Sequence, residues 1–250
     1  MPLSALALLL GSAILHTTWN IIIKQTGEKY MATWWGMLVG SLLFLPSLFL
    51  IGLPARSTWL LLTISALMGA CYFIVLSFAY DDADFSLVYP MARGAAPALI
   101  AVWSVLFLSE ELTAGGVTGL LVIVAGLTIV GSSWLSGEGG LRARGLPALK
   151  AVWPALALAL LTSIYSVIDG AAVKLTDPVP YAGLVYFVSA GFMTPLVLVR
   201  HGWAALKQQF AAYHRRLAIT GVLIVVAYLL ALWAYRLSSV SYSGAIREIN

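Results

Sequence analysis

The stretch YPMARGAAP, residues 89–97, sits inside an apolar run, residues 85–108, that otherwise reads as one uninterrupted membrane helix. A helix rising about 1.5 Å per residue needs roughly 20 apolar residues to cross a hydrocarbon core about 30 Å thick, and this run is long enough. Pro90 lacks an amide hydrogen, and Gly94 and Pro97 loosen the helix further, so a kink or interruption is expected there, with backbone groups set free. Irregular backbone survives at membrane depth only where it lines a cavity or packs against protein. Arg93 near the middle of a span costs at least ~2.5 kcal/mol on insertion scales, so it should face an interior holding water, a partner or a solute. Tyr89 lies one turn before it on the same face. The alternatives are that Arg93 reaches an interface or bridges to Asp81, Asp82, Asp84 or a carboxylate on another helix.

Composition agrees with a membrane reading: 61% of the 250 residues are hydrophobic and 10% charged, where a soluble domain carries about a quarter charged residues. The net charge of +4 is scattered between apolar runs, which argues against a nucleic-acid-binding face. Cys71 is the only cysteine, which excludes an intramolecular disulfide and a cysteine-based metal site. No nucleotide-binding loop and no nucleophile with a positioned His and acid can be found, so neither an ATP-driven pump nor a hydrolase is indicated. No metal and no cofactor is expected.

Working outward, apolar spans fall at residues 3–23, 31–53, 59–79, 85–108, 114–134, 151–173, 181–199 and 217–235, with part of a ninth from Val240. The polar, glycine-rich connector 137–150 divides a first unit, 1–136, from a second, 151–250. SAILHTTWNIIIKQT (12–26) aligns with TSIYSVIDGAAVKLT (162–176), and Ala79-Tyr80 with Ala234-Tyr235, as if the units were repeats. Five spans per unit would make the second enter the bilayer from the opposite face. The expected fold is therefore an all-α multi-pass bundle of two five-helix inverted repeats, ten helices in all, of which eight and part of a ninth are present. The chain is accordingly expected to be a piece of a longer protein. Gly36/Gly40 and Gly115/Gly119 are GxxxG pairs that suit close helix packing.

The first span carries His16, Asn20 and Lys24 at i, i+4 and i+8, with Trp19 alongside: a polar stripe expected to turn inward as a binding surface. The alternative for each is a hydrogen bond to a neighbouring helix, or outward snorkelling for Lys24. The sixth span bears Thr162, Tyr165, Ser166 and Asp169 on one face. Asp169 either exchanges protons during a transport cycle or pairs permanently with Arg93 or Lys24. In the ninth, Ser243, Arg247 and Asn250 share a face, Arg247 mirrors Arg93, and Glu248 is a second candidate for proton coupling. Glu110-Glu111 reads as a solvated helix end, and the tyrosines and tryptophans mostly as interfacial belt or packing.

The stretches LHTTWNIIIK, AYDDADFSLVYPMARGAAPALIAVWSVLFLSEELTAGG, IYSVIDGAAVK and AYRLSSVSYSGAIREIN together resemble the drug/metabolite transporter superfamily, and within it the EamA-type transporters. The resemblance implies a ten-helix carrier of two inverted repeats that moves small metabolites or drugs across the cytoplasmic membrane, often outward and with proton exchange. It implies cytoplasmic termini, whereas the basic loops after spans one, three, five and seven put the N-terminus outside.

The expected function is a secondary transporter of a small anionic or zwitterionic solute by alternating access, with organic phosphates or phosphonates as an alternative class. His16, Trp19, Asn20, Lys24, Tyr89, Arg93, Tyr165 and Arg247 are the expected contacts, and Asp169 and Glu248 the expected proton sites. The expected partners are the solute, the lipid bilayer and protons, a homodimer remaining open and nucleic acid not expected. A membrane-embedded enzyme and a non-transporting scaffold are the rival classes.

Overall fold

The computed structural model describes the backbone over residues 1–82, 85–136 and 146–248, and side chains over 1–76, 94–122, 125–126, 129 and 153–248. The elements are helices throughout: α1 (Leu3–Ile23), α2 (Lys29–Phe44), α3 (Ser47–Leu50), a 3-10 turn (Arg56–Thr58), α4 (Trp59–Asp82), α5 (Phe85–Leu108), α6 (Ala114–Ser136), α7 (Leu146–Ala172), α8 (Pro178–Leu237) and α9 (Val240–Arg247). Segments Leu3–Ile23, Lys29–Leu50, Arg56–Leu76 and Trp153–Ala172 are each long and apolar enough to cross a bilayer, as is Pro178–Leu237. The protein is a multi-pass helical bundle. In lipid this follows from backbone hydrogen bonding, because a helix satisfies its own N–H and C=O groups.

Gly202, at φ 73 and ψ 162, breaks α8 into two limbs, 178–201 and 203–237, corresponding to the two spans expected there. Acids close the starts of α2 and α8. Glu28 accepts from the amides of Tyr30 and Met31 at 3.0 and 2.6 Å, and Asp177 from that of Val179 at 2.8 Å. The span expected over 31–53 comes in two pieces, α2 and α3, parted at Leu45-Pro46, where proline has no amide to continue the ladder. α7 starts at Leu146, inside the expected connector, because a proline at position 147 is tolerated in a first helical turn. The rest of the connector, 137–145, lies outside the described residues.

Of the kink or interruption expected in YPMARGAAP, the interruption is absent: α5 runs from Phe85 through Pro90, Gly94 and Pro97 to Leu108. A proline removes one ladder bond, and the flanking bonds can hold a membrane helix together across the gap. A break does occur in the second half, at Ser238-Ser239 between α8 and α9, in extended rather than helical backbone.

Close packing is set where small residues meet. A Cβ added to Gly221 would lie 2.7 Å from the Gly36 carbonyl oxygen and 2.7 Å from the Gly40 amide nitrogen, so the Gly36/Gly40 pair is the crossing point of α2 with the second limb of α8. Gly115 and Gly119 meet no described atom within 4 Å and make no such crossing among the described residues. Elsewhere, Ser12 donates to the Ala227 carbonyl at 2.7 Å, tying α1 to the second limb, and Ser189 donates to the Ala66 carbonyl at 3.0 Å, tying the first limb to α4. α7 packs against α4 and α5.

Loops interlock at both ends of the bundle. At one end, Gln209 donates to the carbonyls of Thr26 and Glu28 at 2.8 Å each, and Arg216 to that of Gln25 at 2.8 Å. At the other, the Ala55 amide donates to Thr176 at 3.1 Å, and Lys174 lies 3.9 Å from Glu110. The first end is cation-rich, with Lys24, Lys29, Arg200, Lys207, Arg215 and Arg216; Arg56, Lys174 and Arg236 mark the second.

Gly221→Val should destabilise the fold by about 1–3 kcal/mol, the usual range for overpacking, whereas Gly119→Ala should leave stability nearly unchanged. Thermal unfolding of the detergent-purified protein, followed by tryptophan fluorescence, reads both.

Candidate functional site

A cavity of about 910 Å³ of atom-free space, part of it continuous with solvent, lies between α1, α4, α7, both limbs of α8 and α9. From α1 come His16, Trp19 and Asn20; the His16 and Trp19 rings meet edge to face at 4.8 Å, and the Asn20 amide donates to the His16 carbonyl at 2.9 Å. Spacing of i, i+3 and i+4 places all three on one stripe, and the stripe faces inward. Lys24 is one turn too far along. It caps the C-terminus of α1, is exposed and does not border the cavity.

α9 contributes Arg247 and Glu248. The guanidinium donates to the Tyr235 hydroxyl at 3.1 Å and the Tyr165 hydroxyl at 3.3 Å, and its carbon stands 5.4 Å from the centre of the Tyr165 ring. Phenols thus hold this cation through hydrogen bonds and the ring face. A guanidinium has about five N–H donors, and the two phenols engage two of them. The side chains of Tyr89 and Arg93 lie outside the described residues, as do those of Asp81, Asp82 and Asp84, and Asn250 altogether.

Asp169 does not line the cavity. It is fully buried beneath it, where one carboxylate oxygen accepts from Ser65 at 2.5 Å and Tyr181 at 2.9 Å, and the other from Tyr228 at 2.7 Å. These donors come from α4 and both limbs of α8. The pairing of Asp169 with Lys24 is not made, since Lys24 is exposed at the end of α1; the pairing with Arg93 falls on a side chain outside the described residues. Ser65 and Tyr228 border the cavity on one side and touch Asp169 on the other. Below Asp169, toward the cation-poor end, Ala172, Val173, Tyr181, Tyr235 and Val240 are all at 0% exposure, so the cavity is sealed on that side.

Sequence reasoning missed the aromatic wall of Tyr72, Phe73, Tyr186 and Tyr228. Tyr186 and Tyr228 meet edge to face at 4.9 Å, and Tyr72 meets Tyr165 the same way at 6.3 Å. The signal was there: Ser65, Gly69 and Tyr72 recur at i, i+4 and i+7 inside an apolar span. Reading the tyrosines mostly as interfacial belt or packing gave them no place at the cavity; Tyr181 and Tyr235 are wholly buried. Glu110, expected to be solvated, has a side chain 9% exposed and is bound to α9. Among the described residues no group of acidic, His and Cys side chains could hold a metal ion.

A multi-pass helical bundle enclosing a polar and aromatic cavity between its spans is the architecture of a membrane transporter. Residues 3–132, α1 into α6, match the EamA-like transporter family, and the chain belongs to that family. Its members are transporters rather than enzymes. No curated protein matches the chain.

Tyr228→Phe removes one donor from the buried carboxylate and should cost about 1.5–3 kcal/mol, the range for hydrogen bonds to charged groups. Chemical denaturation in detergent micelles measures it, and Tyr72→Phe, which leaves Asp169 untouched, should shift the midpoint less.

Proposed function

We propose that the chain is a secondary carrier that moves a small anionic or zwitterionic metabolite or drug across the cytoplasmic membrane, outward, by alternating access coupled to protons. The observation that carries this reading is Arg247, a cation held by two phenols at the border of an internal cavity, a setting suited to an oxyanion. Glu248 beside it offers the opposite charge to a solute's ammonium group. The rings of Trp19, Tyr72, Phe73 and Tyr186 suit a solute with a flat apolar part.

Two inverted repeats, 1–136 and 151–250, completed to ten helices, are the architecture on which this mechanism rests. Helix boundaries support it. α4 ends at Asp82 and α8 at Leu237, and α5 begins at Phe85 and α9 at Val240, in the register that aligns Ala79-Tyr80 with Ala234-Tyr235. Packing supports it too: α1 lies against the second limb of α8 as α7 lies against α4, each first helix of a repeat on the third helix of the other. By the distribution of basic residues the Lys24 end faces the cytoplasm. The lining residues of α1 run toward that end, so the sealed side is the outer one, as a loading state for export requires.

Asp169 is the proton site of this reading. Its partners among the described residues are hydroxyls, which donate to the ionised carboxylate and accept from the protonated one, so they accommodate both states. A lysine or arginine partner would hold it ionised throughout.

Reconstituted into proteoliposomes and offered a panel of carboxylates, amino acids and phosphate esters, the protein should accumulate a member of the panel when a pH gradient is imposed. Arg247→Ala should lower the rate at least tenfold. Asp169→Asn should keep solute exchange at equilibrium while losing gradient-driven accumulation. Equal transport by both variants would show that the solute passes elsewhere.

A further inference from the structure

Glu110 takes no part in the cavity, yet its side chain is among the most constrained of the charged groups described. α5 ends in a turn in which Ser109 adopts φ 53 and the Glu110 amide donates back to the Ser104 carbonyl at 3.2 Å. That closure is normally made with glycine, because a side chain at positive φ is strained. The strain turns Glu110 back into the protein, onto the N-terminus of α9.

There its carboxylate accepts from the amides of Val240 and Ser241 at 2.7 and 3.0 Å and from the Ser241 hydroxyl at 2.8 Å. The first amides of a helix have no partner within it, and α9 supplies none locally, since the side chain of its N-cap residue Ser239 makes no capping bond. An acid at this position also faces the positive end of the helix dipole. The cap for a helix in the second half thus comes from the first half.

Further contacts seat α9 in the same place. The Tyr242 hydroxyl accepts from the Thr113 amide at 3.0 Å and lies 2.9 Å from its hydroxyl oxygen, and Gly116 leaves room for the Tyr242 ring. Val240 closes on Gly170 of α7, and Gly244 on Ile100 of α5. Val240 belongs to the fully buried layer that seals the cavity, and Arg247, at the other end of the same eight-residue helix, borders it. A helix this short moves as one rigid piece, so whatever holds Val240 also fixes Arg247.

We propose that Glu110 is a positioning residue of the carrier: through α9 it sets where Arg247 stands in the cavity and holds the cation-poor end shut. The inference rests on the alternating-access reading, in which this end must open once per cycle. Glu110 acts without touching the solute.

The test uses the full chain with Cys71→Ser and a single reporter cysteine. Val173→Cys lies in the sealed layer and Leu206→Cys in the core at the opposite end, both at 0% exposure in the native protein. In detergent, Glu110→Gln should raise the rate of maleimide labelling at position 173 at least tenfold and leave position 206 unchanged. Glu111→Gln, its exposed neighbour, should do neither. A rise at both positions would mark general loosening of the fold, and no rise at 173 would mean that the cap holds nothing shut; either overturns the proposal. Labelling needs no solute, so selective opening in a chain that carries nothing would count against the carrier reading alone. Transport by the unmodified chain without selective opening in Glu110→Gln would count against the clamp alone.

Discussion

A carboxyl group sealed in a membrane protein needs donors, and the three that serve Asp169 come from three separate segments. Burying an acid within a membrane protein is costly, and hydrogen bonds to a charged group contribute about 1.5–3 kcal/mol each against that cost. The three from Ser65, Tyr181 and Tyr228 are made only while α4, α7 and both limbs of α8 keep their present spacing. The carboxyl is therefore a node at which four segments meet. Directly above it is the cavity and directly below it the buried layer of Val173, Tyr181 and Val240. The contacts that satisfy the carboxyl also join the cavity wall to the buried layer.

Much of this was legible in the sequence, and the legible part is what lipid dictates. Apolar length alone placed α1 and α5 at their observed bounds, because a membrane helix must run as long as the hydrocarbon is thick. Helical spacing brought His16, Trp19 and Asn20 to one wall, whereas the contact between Arg247 and Tyr165 is made by the fold, across two helices. What failed were inferences that depend on a neighbour's position. Lys24 continues the stripe of α1 on paper, but one more turn carries it past the cavity to the helix end. Pro90 is a helix breaker in water and sits inside a continuous helix here, since the bilayer penalises an open backbone.

Glu110 shows the same limit from the other direction. An acid next to a helix end in sequence looks solvated, and only the fold reveals that the helix end it serves belongs to a different element, 130 residues away in the chain. The buried tyrosines hid for a related reason. Phenol is apolar enough for a span and polar enough for an interface, and which role it takes is decided by whether its hydroxyl finds a partner. Tyr181 and Tyr228 find Asp169, and Tyr235 finds Arg247.

Among the described residues some helix starts are capped locally and one from a distant segment, and the contrast has mechanical meaning. Glu28 and Asp177 cap α2 and α8 from within two or three residues, so those helices carry their caps with them wherever they move. α9 is capped from outside, and any displacement that separates it from the α5–α6 corner exposes its first amides. The cation-rich end is tied by amide and guanidinium donors to neutral backbone carbonyls, while the sealed end is tied by a carboxylate at a helix N-terminus. Charge-assisted bonds at a helix terminus are the stronger kind. Both ends are thus gripped through a charged group, and at the closed end that group is a carboxylate set on a helix N-terminus.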